Sequence, residues 1–385
     1  MSLAQVPPLI FPASGLYQRP LEAMHPANIL AGAYAAYNTS VVIPFSNNNE
    51  NKVPFTTDIR VNITVNGRGY RTPIVDTGTC GLLLPASKVT GYEEAKARND
   101  PRGWEYLSSS HILYSGYWVS TEIVFNAAVP KVTATVPVLA VDYRVTCHTY
   151  NSTTDTDKCT KVQGTATSTA KSEATTEVQY IGIGFGRQHD GQPQGNPDKN
   201  VMLNVKTLGN QNVTDATYRN GYIISKEGIT VGLTAENTKN MQFSQLTKRK
   251  GRTDPRDWNQ VQGCFTIGDN PCSRGVLLVD TGVAQMYMTV PTSIEPNVTN
   301  PTEKHLVPGS KVHVAVGAEG EPFIATSDFV VSQSTTTEKE GVEPNYVKAS
   351  MSDTIPPKVN TGRHFLRKWK IAFDAVDGRF GAVDI

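Results

Sequence analysis

Residues 73–88 read TPIVDTGTCGLLLPAS: Asp76-Thr77-Gly78 stands straight after Ile74 and Val75, and the chain then returns to Leu82, Leu83 and Leu84. A carboxylate between two apolar runs is costly to bury unless something holds it. The arrangement recurs 204 residues later in LLVDTGVAQMYMTVP, with Asp280-Thr281-Gly282 after Leu278 and Val279. Each copy is followed within about a dozen residues by proline, Pro85 and Pro291. A single Asp-Thr-Gly is uninformative. Two in the same apolar setting indicate an internal repeat, with one strand-end loop from each half.

The chemistry of such a pair follows from electrostatics. Two carboxylates within hydrogen-bonding distance cannot both ionise easily, so they share a proton. One then acts as a base toward water while the other donates to a carbonyl oxygen. That is amide hydrolysis without metal, serine or cysteine. Gly78 and Gly282 let the two loops come close, and the hydroxyls of Thr77 and Thr281 are placed to bond across or back to the loops.

The surrounding sequence predicts an all-β chain. Ile59, Val61, Ile63 and Val65 alternate with polar residues as in a half-buried strand. Asn66-Gly67 then signals a hairpin whose second strand runs from about Tyr70 into Asp76. Residues 105–125 read as strand, turn at Ser115-Gly116, strand, and residues 133–143 as a buried strand. Residues 151–177 form a Thr/Ser-rich surface loop. Val201–Leu208 is a short helical candidate. GYIISKEGITVGL begins a second β region, and Asp377-Gly378 is the turn of a C-terminal hairpin. The basic run Lys248 to Arg252 reads as a solvated loop or a processing site.

With 385 residues the chain is too long for one compact core. It is 38% hydrophobic and 18% charged, with 31 Gly and 24 Pro, a turn-rich globular profile. A formal net charge of +1 points to neither nucleic acid nor a membrane surface as partner. No apolar run approaches the length of a membrane-spanning helix.

Five Asn-X-Ser/Thr sites, at Asn38, Asn62, Asn151, Asn212 and Asn297, are glycosylation candidates, whereas Pro301 vetoes Asn300. Cys147 with Cys159, and Cys264 with Cys272, are spaced to close two short loops, leaving Cys80 as a small buried hydrophobe. These features favour a secreted protein, although the N-terminus shows no signal peptide.

On the two DTG loops the sequence resembles the pepsin-like aspartic proteases, as a divergent, fungal-type member. The resemblance covers most of residues 46–385, and the spacing of the loops matches that of the family. It implies a bilobal all-β fold of two pseudo-symmetric β-barrel lobes with the cleft between them. Residues 1–45 would be an N-terminal strap, 46–220 the first lobe and 221–385 the second. Asp76 and Asp280 would be catalytic, with Thr77, Gly78, Thr79, Thr281, Gly282 and Val283 in support.

Tyr114 in ILYSGY lies where the family's flap tyrosine is expected, with Gly116 and Tyr117 on the same substrate-covering hairpin. YIGIGFG, through Ile181–Gly186, and RFGAV, at Phe380-Gly381, look like the apolar-apolar-Gly segments through which the catalytic loops thread. The Cys264–Cys272 spacing also matches a small disulfide loop of the family. A monomer acting on an extended peptide or protein, with no cofactor and no metal, is the implied enzyme.

Two departures stand out. Val283 replaces the hydroxyl residue expected after the second glycine. Loss of that donor would raise the pKa of Asp280 by about 1–2 units. In addition, YSGYWV replaces the usual glycine-rich flap tip. Both favour the alternative of a non-proteolytic pepsin-fold protein, a binder or inhibitor, or one whose cleft serves another small-molecule reaction.

Overall fold

The structure is a computed structural model that describes residues 32–46, 55–160, 178–187, 195–333, 339 and 341–385. Part of the polar excursion, residues 161–177, and most of the N-terminal strap lie outside these. Among the described residues the chain is two-lobed and almost all β, with strands in sheets of nine, six and seven. The one α-helix among them, Tyr92–Ala97, is six residues long. No helix of the described chain is long and apolar enough to cross a membrane.

Local sequence explains much of the first sheet. Asn66 and Gly67 both take positive φ, 45° and 78°, and join the strand Arg60–Val65 to the strand Arg68–Asp76. Such a turn matches the right-handed twist of the strands it connects. Val61, Ile63 and Val65 face inward while their neighbours are half-buried, as the alternation requires.

Around each DTG the same three-strand unit is built. The strand Arg68–Asp76 enters the first loop and Cys80–Pro85 leaves it. Tyr180–Ile183 lies between them, parallel to the first and antiparallel to the second. In the second half Ser273–Leu278 enters, Met286–Val290 leaves, and Lys358–Asn360 lies between them in the same two senses. The register matches as well: Tyr180 stands opposite Ile74, and Asn360 opposite Leu278. Each partner residue is two before its aspartate.

The segment inserted beside the second loop is therefore Lys358–Asn360 with Thr361-Gly362 after it, not Phe380-Gly381. Those two residues belong to the strand Arg379–Asp384 in the six-stranded sheet. That sheet draws its strands from the N-terminal, middle and C-terminal parts of the chain. It combines Val41–Pro44 from the strap with Arg219–Ile224, Gly228–Leu233, Gln242–Gln245 and the C-terminal hairpin.

Two further expectations are corrected. Ser115-Gly116 is no turn, because the strand Ile112–Phe125 runs through it for 14 residues, with only a register shift against Val132–Thr146. A Cβ at Gly116 would run into the carbonyl oxygen of Ala140, so this glycine serves close strand approach. The turn falls earlier, between Leu107 and Ile112. Val201–Leu208 is one 3-10 turn, Val201–Leu203, followed by the strand Val205–Leu208.

Candidate active site

The two DTG loops meet. The backbone N–H of Thr77 donates to the hydroxyl of Thr281, and the N–H of Thr281 to the hydroxyl of Thr77. The hydroxyls donate onward to the carbonyls of Val279 and Val75, so each loop is tied to the strand that feeds the other. All of this is buried. Beneath it Phe185 stacks on Phe373 with ring centroids 4.1 Å apart, an apolar floor that Tyr222 and Val279 also line.

The crossing brings the carboxyls of Asp76 and Asp280 within hydrogen-bonding reach of each other. Each glycine lies under the opposite carboxyl. A Cβ on Gly78 would lie 2.5 Å from Oδ2 of Asp280, and one on Gly282 2.5 Å from Cγ of Asp76. Nothing larger than glycine fits either place. Each aspartate also accepts its own loop's N–H, Gly78 to Asp76 at 2.6 Å and Gly282 to Asp280 at 2.8 Å.

Asp76 is strongly perturbed by its surroundings. Asp76 keeps part of its surface open, yet its carboxyl is enclosed enough that desolvation pushes its pKa well above the usual carboxylate range. The charge of Asp280 and its hydrogen bond add to that, as does the buried Glu105, against the lowering effect of the Gly78 N–H. Glu105 accepts a hydrogen bond from Tyr180 and stands opposite Tyr114 across the strand pair.

The residues around the aspartates differ from expectation. The Thr79 hydroxyl, expected to tune Asp76, is buried without a hydrogen-bond partner. Val283 offers Asp280 no side-chain donor, but Asn360 does: its Nδ2 donates to Asp280 Oδ2 at 2.6 Å. Arg363, three residues on, donates to the carbonyl of Thr281 and pairs with Asp58 of the first half at 2.6 Å. The sequence reading missed Asn360, Arg363, Glu105 and Tyr180. The signal for Asn360 was the repeat itself, because an X-X-Gly segment after the second DTG, as Tyr180-Ile181-Gly182 follows the first, leads to Asn360-Thr361-Gly362.

The expected flap residues sit in one continuous strand with no hairpin tip at Gly116. Tyr114 is buried against Leu83, Leu139 and Tyr180. Tyr117 packs in the main core, edge-on to Tyr92 and under the Arg102 guanidinium. Trp118 occupies the space above Gly103, with the Lys199 ammonium 5.0 Å from its ring.

Elsewhere, Cys147–Cys159 and Cys264–Cys272 are disulfides, and Cys80 is free and buried, its thiol pushed up by desolvation. Asn38, Asn151, Asn212 and Asn297 are exposed, whereas Asn62 is half-buried in a strand. In the basic run, Arg249 pairs with Asp257, and Lys248 and Arg252 lie over the Trp258 ring. Among the described residues no group of three His, Cys, Asp or Glu is placed to hold a metal.

No protein-family model matches the chain, and no curated protein matches it. Among solved structures it is similar to an aspartic proteinase from Irpex lacteus, at 12% identity and a TM-score of 0.47, covering 90% of this chain and 97% of that one.

Proposed function

We propose that the chain is a pepsin-like aspartic endopeptidase in which Asp76 and Asp280 activate a shared water for attack on a peptide carbonyl. The observation that carries this reading is the pair of carboxyls brought together by the crossed loops, each held over the opposite loop's glycine, with Asp76 pushed toward its protonated form. Such a pair holds one proton between two acids. The ionised member takes a proton from water while the protonated member donates to the carbonyl oxygen, and no cofactor enters the step. An extended peptide lies between the halves, pairing with exposed strand edges. The protein works outside the cell as a monomer. Two disulfides and four exposed sequons support export.

The test is cleavage of a denatured mixed-protein substrate from pH 3 to pH 7, with and without pepstatin, beside Asp76→Asn. Cleavage lost in the variant and blocked by pepstatin is the expected result. Silence from folded protein across the range would overturn peptide hydrolysis. A second reading, binding without cleavage, is favoured by Tyr114 and Tyr117, whose rings are both buried in core clusters instead of standing free to cover a substrate. Under that reading peptides bind and emerge intact.

A further inference from the structure

The two inserted strands place a polar side chain at the same register position beside each aspartate, Tyr180 in the first half and Asn360 in the second. They are used differently. Tyr180 turns its hydroxyl away to Glu105, whereas Asn360 gives its amide N–H to Asp280. The asymmetry coincides with the loop sequences. Thr79 carries a hydroxyl that bonds to nothing, and Val283 carries none.

The orientation of the Asn360 amide is settled by its neighbours. Its Oδ1 accepts the N–H of Gly362 at 3.0 Å, so Nδ2 is the end that faces Asp280. The backbone under it is paired on both sides, with Leu278 on one and Tyr287 on the other. A hydroxyl beside a carboxyl can rotate to donate or to accept. An amide NH2 only donates, so it favours the carboxylate and disfavours a proton on the oxygen it touches.

We propose that Asn360 is the positioning residue that replaces the missing loop hydroxyl, holding Asp280 ionised and directing the shared proton to Asp76. This rests on the aspartic-dyad reading and assigns its two roles: Asp280 is the base toward water, and Asp76 the acid toward the carbonyl oxygen. The raised pKa of Asp76 agrees with it, with desolvation and the neighbouring Asp280 charge as its leading causes.

The test compares wild type with Asn360→Leu, which removes the donor at similar volume, and Asn360→Asp, which sets another carboxyl against Asp280. The acid limb of the pH profile of kcat/KM reports ionisation of the base. Losing a hydrogen bond to a charged group should move that limb to higher pH by about 1–2 units in Asn360→Leu. It should move further in Asn360→Asp, because two like charges resist ionisation together.

A merely structural role would lower activity or stability without this order of shifts. The same variants, carrying carbon-13-labelled aspartate, are titrated by NMR, with Asp280→Asn to assign the signal. That readout needs no turnover. If wild type cleaves nothing but the Asp280 carboxyl still titrates upward in Asn360→Leu, the enzyme reading falls and the role of Asn360 stands. An acid limb and a carboxyl titration both unmoved in folded Asn360→Leu and Asn360→Asp would overturn it.

Discussion

Thr77 and Thr281 exchange hydrogen bonds across the molecule, N–H to hydroxyl, at 3.0 and 2.9 Å. Each hydroxyl has one proton and spends it on a carbonyl, Thr77 on Val279 and Thr281 on Val75. Thr77→Val therefore strands two buried groups, the Thr281 N–H and the Val279 carbonyl. At roughly 1–3 kcal/mol each, that is a loss of about 2–6 kcal/mol. Thr77→Ser keeps the hydroxyl and should cost about 1 kcal/mol for the methyl group. Urea midpoints separate the two. The double variant Thr77→Val with Thr281→Val should lose less than the sum of the singles, because both act on one network. Equal midpoints for Ser and Val at 77 would show that the crossing contributes nothing.

The glycines under the carboxyls give a test of geometry rather than stability. In Gly78→Ala the new methyl group would occupy the position 2.5 Å from Asp280 Oδ2. Asp280 has little room to retreat, because Gly282 and Asn360 hold both of its oxygens. The carboxyls separate, and displacement on the ångström scale costs on the order of 100-fold in rate. The expected outcome is a fall of about that size in kcat, with weakened pepstatin binding and secondary structure retained by circular dichroism. Unchanged kcat would mean that the loops part freely.

Asp76 ties the pair to pH through stability as well as activity. Its raised pKa means that the native protein keeps a proton where the unfolded chain has lost one. This contribution is complete below the ordinary carboxylate value of about 4 and drains away as pH rises through the native value. Asp76→Asn imitates the protonated acid and cannot ionise. Its Tm should match wild type near pH 3 and exceed it near pH 7. Parallel Tm curves for the two proteins would remove the shared proton from the account.

The DTG pair was legible because its information is local: three residues, an apolar approach and a repeat. The Asn66-Gly67 hairpin was legible for the same reason, since both residues tolerate the positive φ the turn requires. Ser115-Gly116 misled because glycine has two uses. Sequence displays the missing side chain, but only the neighbouring strand, with Ala140 against Gly116, shows that the need is closeness and not a turn. Thr79 misled in another way. A hydroxyl one residue past the glycine is near a carboxyl in sequence, but whether it points there depends on packing. Asn360 is 80 residues from the carboxyl it serves, and only the parallel pairing with Val276–Leu278 brings the two together.

His364 supplies the opposing pH dependence. Its ring is fully buried on the turn Arg363–Arg367, two residues beyond the Gly362 that orients Asn360. Nδ1 lies 2.5 Å from the carbonyl oxygen of Glu343 and so carries the ring proton, while Nε2 is buried with no partner. Burial first, then the charges of Arg367 and Arg363, lower its pKa to about 4, against a raising effect from the Glu343 carbonyl. The unfolded chain takes up this proton near pH 6.5, which the native protein refuses until about pH 4. The contribution is therefore complete above about pH 6.5 and falls by about 3 kcal/mol as pH drops to 4. His364→Asn keeps an N–H near Nδ1 and cannot gain charge. It should be less stable than wild type at pH 7, by about 1–3 kcal/mol for the cavity it leaves. The gap should close as the pH is lowered, and chemical denaturation at pH 7, 5.5 and 4 reads it directly. A gap of constant size across those three values would mean that His364 titrates in the native protein as it does in the unfolded chain, and the acid limit on stability would have to come from another group.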